Sequence, residues 1–295
     1  MSTNSANLRG IAFMSAATAA FVTNDTILQV VMRDLPPFET LFWRGVLTVL
    51  WGVPLLGFTG NFGGLPKMLD KGVLGRSTFE LLAVLGYILA LKYAPIADVT
   101  ALSQLAPMIL TLVAVWFFGV KVGRWEIALI CLALFGALLV AQPGGSGFSA
   151  FALFGLWNAV ASVGRDLAGR MAARDVPGLV VPVAAGISVL IGAGVVMAIF
   201  EHFVMPDGRL WLLLAASALF LTAGHYLIFL AYRVGTVGAV APFFYTGTIW
   251  ALVAGLVTFG QLPNALALSG IALILVSGIV VVYLDARRTW MTETA

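Results

Sequence analysis

Charge is scarce in this sequence. Only 10% of its 295 residues are Asp, Glu, Lys or Arg, where a soluble globular chain carries about 25%. Cysteine is limited to Cys131, inside an apolar run, which excludes a disulfide framework and a cysteine-based metal site. Histidine occurs twice, as His202 and His225, roughly a helix length apart. There is no His-Glu-x-x-His helix and no Gly-x-Ser-x-Gly turn, so membrane-embedded hydrolases lack their machinery here. No catalytic residue, metal ligand or cofactor is expected. The net charge of +3 is too small for a nucleic-acid partner.

What the chain has instead is apolar length. Hydrophobic residues make up 61% of it, and its mean hydropathy is +1.04. A bilayer core about 30 Å thick takes roughly 20 helical residues to cross, so this length accommodates about ten spans and no sizeable soluble domain. Apolar segments bounded by charge, Gly or Pro fall at about 8–32, 38–59, 76–93, 96–118, 124–142, 148–172, 177–201, 209–232, 236–258 and 265–284. Continuous runs of this length read as helices; a membrane barrel would show alternating segments of about ten residues. The first run, Leu8 to Met32, is too long for a signal h-region and holds Asn24 and Asp25, so it reads as a span. The longest connection, Gly60 to Gly75, is either a short amphipathic stretch on the membrane surface or a Gly-rich loop.

Orientation follows from positive charge. With a cytoplasmic N-terminus, twelve Lys and Arg residues fall inside and three outside (Arg33, Lys92 and Arg209), while Arg44 lies within the second span. Both termini are expected on the cytoplasmic side of an inner membrane.

The chain also repeats itself. Arg33-Asp34-Leu35-Pro36 recurs as Arg174-Asp175-Val176-Pro177, a shift of 141 residues. Asp25 recurs as Asp166 and Phe118-Gly119 as Phe259-Gly260 at the same shift, while Leu91-Lys92-Tyr93 resembles Leu230-Ala231-Tyr232 at 139. The expectation is an all-α membrane protein of ten helices in two inverted five-helix repeats. The first repeat covers residues 1–143, the second 148–295, and Gly144-Gly145-Ser146-Gly147 is a Gly-rich connection. An odd number of helices per repeat makes the second enter the membrane from the opposite side, an architecture recurrent in secondary transporters.

These residues resemble the drug/metabolite transporter superfamily, EamA-type. The resemblance spans nearly the whole chain and rests on the repeat boundary and on the paired stretches Leu91–Val140 and Leu230–Val282. In each, a helix ending in Phe-Gly leads into a last helix containing Gly136 or Gly278. The chain looks most like the YddG-type exporters of amino acids. It departs from the family at Val120 and Gln261, where members often place Glu after the Gly closing the fourth helix. The resemblance implies a transporter with alternating access through a central cavity between the repeats, exporting small metabolites, amino acids above all. A proton-coupled exporter of drugs or other cations is the alternative.

Polar groups at bilayer depth are costly and tend to face the bundle interior. Asp25 and Arg44 fall at similar depths, about 9–10 Å below the outer surface at 1.5 Å per residue, and are expected to form an ion pair, either as an outer gate or merely to neutralise each other. Asp166 is the repeat equivalent of Asp25 near the inner end. Glu80 reads as an interface residue or a partner of Arg165. Trp157 and Tyr245 are the aromatics expected on a central cavity, with Gln104 and Asn158 supplying hydrogen bonds. Tyr87, His225 and Trp250 lie at similar depth as substrate-binding candidates; Tyr87 and Trp250 read otherwise as helix packing, and His225 as a proton carrier in a coupled cycle or as hydrogen-bonded structure. Pro107 and Pro242 are expected to interrupt the fourth and ninth helices. Expected partners are a small-molecule substrate and the lipid bilayer, with a monomer and a homodimer both open.

Overall fold

The computed structural model describes residues 3–58, 62–119, 123–142, 150–171, 176 and 180–293. Among them every regular element is helical and there is no strand. The helices are α1 (Thr3–Val31), α2 (Pro37–Phe58), α3 (Lys71–Tyr93), α4 (Ile96–Ser103), α5 (Ala106–Phe118), α6 (Arg124–Ala141), α7 (Leu153–Arg170), α8 (Val180–Phe200), α9 (Gly208–Val234), α10 (Val237–Val240), α11 (Thr246–Phe259) and α12 (Ala265–Glu293). Among the described residues, eight helical segments are long and apolar enough to cross a membrane. The helices α2 and α7 are not among the eight. Both carry charge, Glu39 and Arg44 in α2 and Arg165, Asp166 and Arg170 in α7. The connection at 144–147 lies outside the described residues.

Helix boundaries follow local chemistry. Asp70 caps α3, its Oδ1 accepting the Gly72 and Val73 amides at 2.9 and 3.3 Å. Asp207 does the same for α9 through the Leu210 amide at 2.7 Å, satisfying donors that a helix start leaves open. Asp70 therefore begins α3 five residues before the span expected at 76, and the stretch before it, Phe62–Leu69, is a 3-10 turn. The fourth apolar run breaks at Gln104-Leu105, with Pro107 in the first turn of α5. The ninth breaks where Pro242 opens a 3-10 turn, Ala241–Tyr245, between α10 and α11. Proline has no amide to continue a helical ladder, so both interruptions fall where the sequence places them. Both Phe-Gly pairs end their helices the same way, with Gly119 at φ 65° and Gly260 at φ 63°. This left-handed cap suits glycine because it has no Cβ to clash.

Packing pairs α1 with α9, α2 with α8, α3 with α7 and α6 with α12. Small residues allow the close approach, as in membrane bundles generally. A Cβ added at Gly136 would lie 2.7 Å from the Gly270 carbonyl oxygen. One added at Gly10 would lie 3.0 Å from that of Ala231. The small-residue stripe Gly247, Ala251 and Gly255 is likewise buried inside the chain on α11.

Candidate functional site

Asp25 lies within α1, beside Asn24 and otherwise among apolar and hydroxylated neighbours. Its Oδ1 accepts the Asn24 amide at 2.8 Å and its Oδ2 accepts the Tyr87 hydroxyl of α3 at 2.7 Å. Asn24 is fixed in turn by Ser217 of α9, whose hydroxyl donates to Asn24 Oδ1 at 2.7 Å. Three helices thus converge on one carboxylate through neutral donors.

Arg44 of α2 is buried, with 8% of its surface exposed. It lies within Coulombic reach of Asp25, Glu80 and Tyr87. No described ion pair within 4.0 Å includes it, and its Nε is buried without a hydrogen-bond partner. The contact ion pair expected between Asp25 and Arg44 is therefore not formed. Depth counting put the two residues at one level, but the carboxylate's described hydrogen bonds go to Asn24 and Tyr87.

Below this level a charged ladder joins α3 and α7. Glu80 accepts from Arg165 at 3.1 Å, Arg165 Nε reaches Asp166 at 2.9 Å, and Arg76 stands 3.9 Å from Asp166. These four side chains are between 22% and 41% exposed, so the ladder borders open space. His225 of α9 is also exposed. Its Nδ1 lies 2.8 Å from the Leu221 carbonyl; a carbonyl can only accept, so Nδ1 carries the proton and Nε2 is the basic nitrogen. Phe21 meets the imidazole edge to face at 5.0 Å. Glu80, Arg165 and Arg44 all lie within its Coulombic reach. The structure therefore brings Asp25, Tyr87, Arg44, Asp166 and His225 toward one polar region, together with Glu80, Arg165 and Arg76.

The other expected residues lie elsewhere. Gln104 is buried at the α4–α5 break, its Oε1 accepting the Thr248 hydroxyl at 2.6 Å and its Nε2 donating to the Phe244 carbonyl at 3.3 Å. Its amide joins two broken helices. Tyr245 is 2% exposed within an apolar cluster, its ring pressed on Gly278. Trp157 and Asn158 of α7 both bond to α3, through Nε1 to Leu82 O at 2.9 Å and Nδ2 to Ala83 O at 3.2 Å. Trp157, 46% exposed, lines an open apolar groove of about 260 Å³ with Leu82, Leu85, Gly86, Leu89 and Phe154. Trp250 is exposed beside Ile249 and Val253, opposite the buried stripe of α11.

Two polar arrangements escaped the sequence reading. The Pro36-Pro37 start of α2 offers no side-chain cap, and Glu201 beyond the end of α8 supplies one, accepting the Phe38 and Glu39 amides at 2.9 and 2.8 Å. Glu39, fully buried, accepts the Val204 amide at 3.0 Å in return. The Pro-Pro pair was the available signal. At the next connection, Gln142, in the left-handed region at φ 45°, exchanges two amide hydrogen bonds with Asn264 at 2.7 and 3.0 Å.

Residues 8–142 match the EamA-like transporter family. A pseudopaline exporter of Pseudomonas aeruginosa is 26% identical over 91% of this chain and 94% of its own. An uncharacterized transporter of Helicobacter pylori is also 26% identical, over 93% and 94%, and a riboflavin transporter of Brucella anthropi is 22% identical over 88% and 92%. A crystal structure with 24% identity superposes with a TM-score of 0.61, covering 98% of this chain and 99% of that one, and so shares its fold. The chain thus resembles membrane transporters along nearly its whole length, and the EamA-like family match itself lies in residues 8–142.

Proposed function

We propose that the chain exports small zwitterionic metabolites, amino acids foremost, by alternating access through a central cavity bordered by Asp25, Tyr87, Arg44, Asp166 and His225. The observation that carries this reading is the cluster itself. It gathers both signs of charge inside an apolar helical bundle, where isolated charges cost about 2.5 to 10 kcal/mol or more. The exporter of pseudopaline among the relatives supports export as the direction.

The architecture proposed with it is ten spans in two inverted repeats, residues 1–143 and 148–295, joined by 144–147. The pairing of helices supports this. Exchanging the halves carries α1 onto α7 and α3 onto α9, so the α1–α9 pair maps onto the α7–α3 pair, while α2–α8 and α6–α12 map onto themselves. The matched left-handed glycines at 119 and 260 agree. Positive charge favours an inner membrane with both termini cytoplasmic. Trp157 and Asn158 border the cavity wall through α3 in this reading. Gln104, Tyr245 and Trp250 hold or flank the broken helices that move, and contact substrate only in another state of the cycle.

The test is uptake by purified protein in liposomes of neutral, aromatic and cationic amino acids and a cationic dye, with and without a pH gradient. Amino-acid flux that ignores the gradient supports the reading. Flux of the dye alone, driven by protons, replaces it with a proton-coupled cation exporter in which Asp25 is the coupling site.

A further inference from the structure

The guanidinium of Arg44 is an unfilled binding group. Arginine presents five N–H donors in a rigid planar fork. Here the residue keeps only 8% of its surface exposed, its Nε is buried without a hydrogen-bond partner, and no described ion pair within 4.0 Å engages it. A buried charge without hydrogen-bonded partners is strongly unfavourable, and such a group persists where a ligand completes it. The carboxylates that balance it, Asp25 and Glu80, act through space. Asp25 spends one lone pair of each oxygen on Asn24 and Tyr87, and Glu80 is held by Arg165. Each is held by these partners, and neither stands within 4.0 Å of Arg44 in a described ion pair.

The charges of the region also restrict the ligand. Three carboxylates, Asp25, Glu80 and Asp166, face three guanidiniums, Arg44, Arg76 and Arg165, so the site is formally balanced before anything binds. A net cation or anion would upset that balance in a low-dielectric setting. A zwitterion would not, provided its negative pole meets the unfilled fork and its positive pole faces a carboxylate. Arginine matches a carboxylate with two parallel N–H···O bonds. A carboxylate oxygen has two lone pairs, so Asp25 can accept a hydrogen bond from an ammonium group while keeping the one from Tyr87.

From this placement we infer that Arg44 is the residue that recognises the substrate carboxylate, with Asp25, steadied by Tyr87, receiving the α-ammonium group. The inference rests on the proposed amino-acid reading and assigns the two poles of that substrate. It makes Arg44 a specificity-determining residue: compounds with an ammonium but no carboxylate are excluded by a buried arginine left unpaired.

The experiment compares uptake of phenylalanine, phenylalanine methyl ester and phenylpropionate into liposomes holding the full chain, as wild type, Arg44→Gln and Arg44→Lys. Loss of a charge-assisted bidentate contact corresponds to roughly 10- to 100-fold in affinity. Wild type is expected to prefer phenylalanine over its ester by about that factor. In Arg44→Gln the KM for phenylalanine rises by a similar factor while the ester is unaffected, so the preference collapses toward one. Arg44→Lys, which keeps the charge without the fork, falls between. An Arg44→Gln protein that keeps the wild-type preference overturns the anchor and leaves the amino-acid reading standing. Should that variant fail to fold, the wild-type comparison decides alone, since equal uptake of acid and ester overturns the anchor. A wild type that moves none of these compounds or any other amino acid sinks the substrate class, and the anchor with it.

Discussion

The Tyr87 hydroxyl of α3 donates a 2.7 Å hydrogen bond to Oδ2 of Asp25 on α1. This bond joins the first and third helices at the level where Arg44 enters from the second. Tyr87→Phe removes the donor and leaves a carboxylate oxygen unsatisfied, which costs about 1–3 kcal/mol. The thermal midpoint of the detergent-solubilised variant should fall, and phenylalanine uptake should fall with it. An unchanged midpoint together with unchanged transport would show that water replaces the hydroxyl without loss.

Arg165 serves two carboxylates, Glu80 at 3.1 Å and Asp166 at 2.9 Å. Removing it strands Glu80 and leaves Asp166 only the longer Arg76 contact at 3.9 Å, whereas Glu80→Gln leaves Arg165 paired with Asp166. Arg165→Gln is therefore the more damaging change, by about 1–2 kcal/mol given the partial exposure of the ladder. The double variant should recover part of the loss, since the two positions share one interaction. Unfolding midpoints of the three variants check the order.

Glu201 caps α2 from a distant part of the chain. Glu201→Ala leaves the Phe38 and Glu39 amides open to solvent. Their hydrogen exchange should accelerate by roughly 10-fold or more, corresponding to about 1.4 kcal/mol or more of lost protection, while the amides capped by Asp207 at the start of α9 exchange as before. Exchange measured by mass spectrometry over the two helix starts separates the cases.

At the α6–α12 crossing the obstacle to a side chain is backbone. A Cβ at Gly136 meets Gly270 O at 2.7 Å, and one at Gly270 meets the Gly136 carbonyl oxygen closer still. Gly136→Val should force the helices apart and lower the yield of folded protein, at a cost of 1–3 kcal/mol or more as for other overpacked sites. Gly63→Ala, where nothing lies within 4 Å, should leave the yield unchanged. Fluorescence-detected size exclusion of the two variants tests this.

Much of the fold was legible because membrane helices leave clear punctuation in a sequence. Pro107 and Pro242 marked the broken helices, the Phe-Gly pairs marked two left-handed caps, and Glu80 found the Arg165 partner that the sequence offered it. What depth alone does not carry is direction around a helix. Asp25 and Arg44 share a level, yet the carboxylate turns to Asn24 and Tyr87. Tyr245 sits near the middle of its run but faces Gly278 and the core, and Trp157 turns to the backbone of α3. Glu39 and Glu201 were missed because charges near helix ends read as interface residues, and only the Pro-Pro start hinted that α2 needed a cap from elsewhere.

Solute counterflow is the most direct test of transport by alternating access. Liposomes carrying the protein are loaded with unlabelled phenylalanine and diluted into a trace of labelled phenylalanine. A carrier exchanges the two, so label should rise above its equilibrium level and then decay, and Asp25→Asn should blunt the overshoot. Label that climbs steadily to equilibrium, or no faster than in protein-free liposomes, would contradict a carrier of amino acids in this chain.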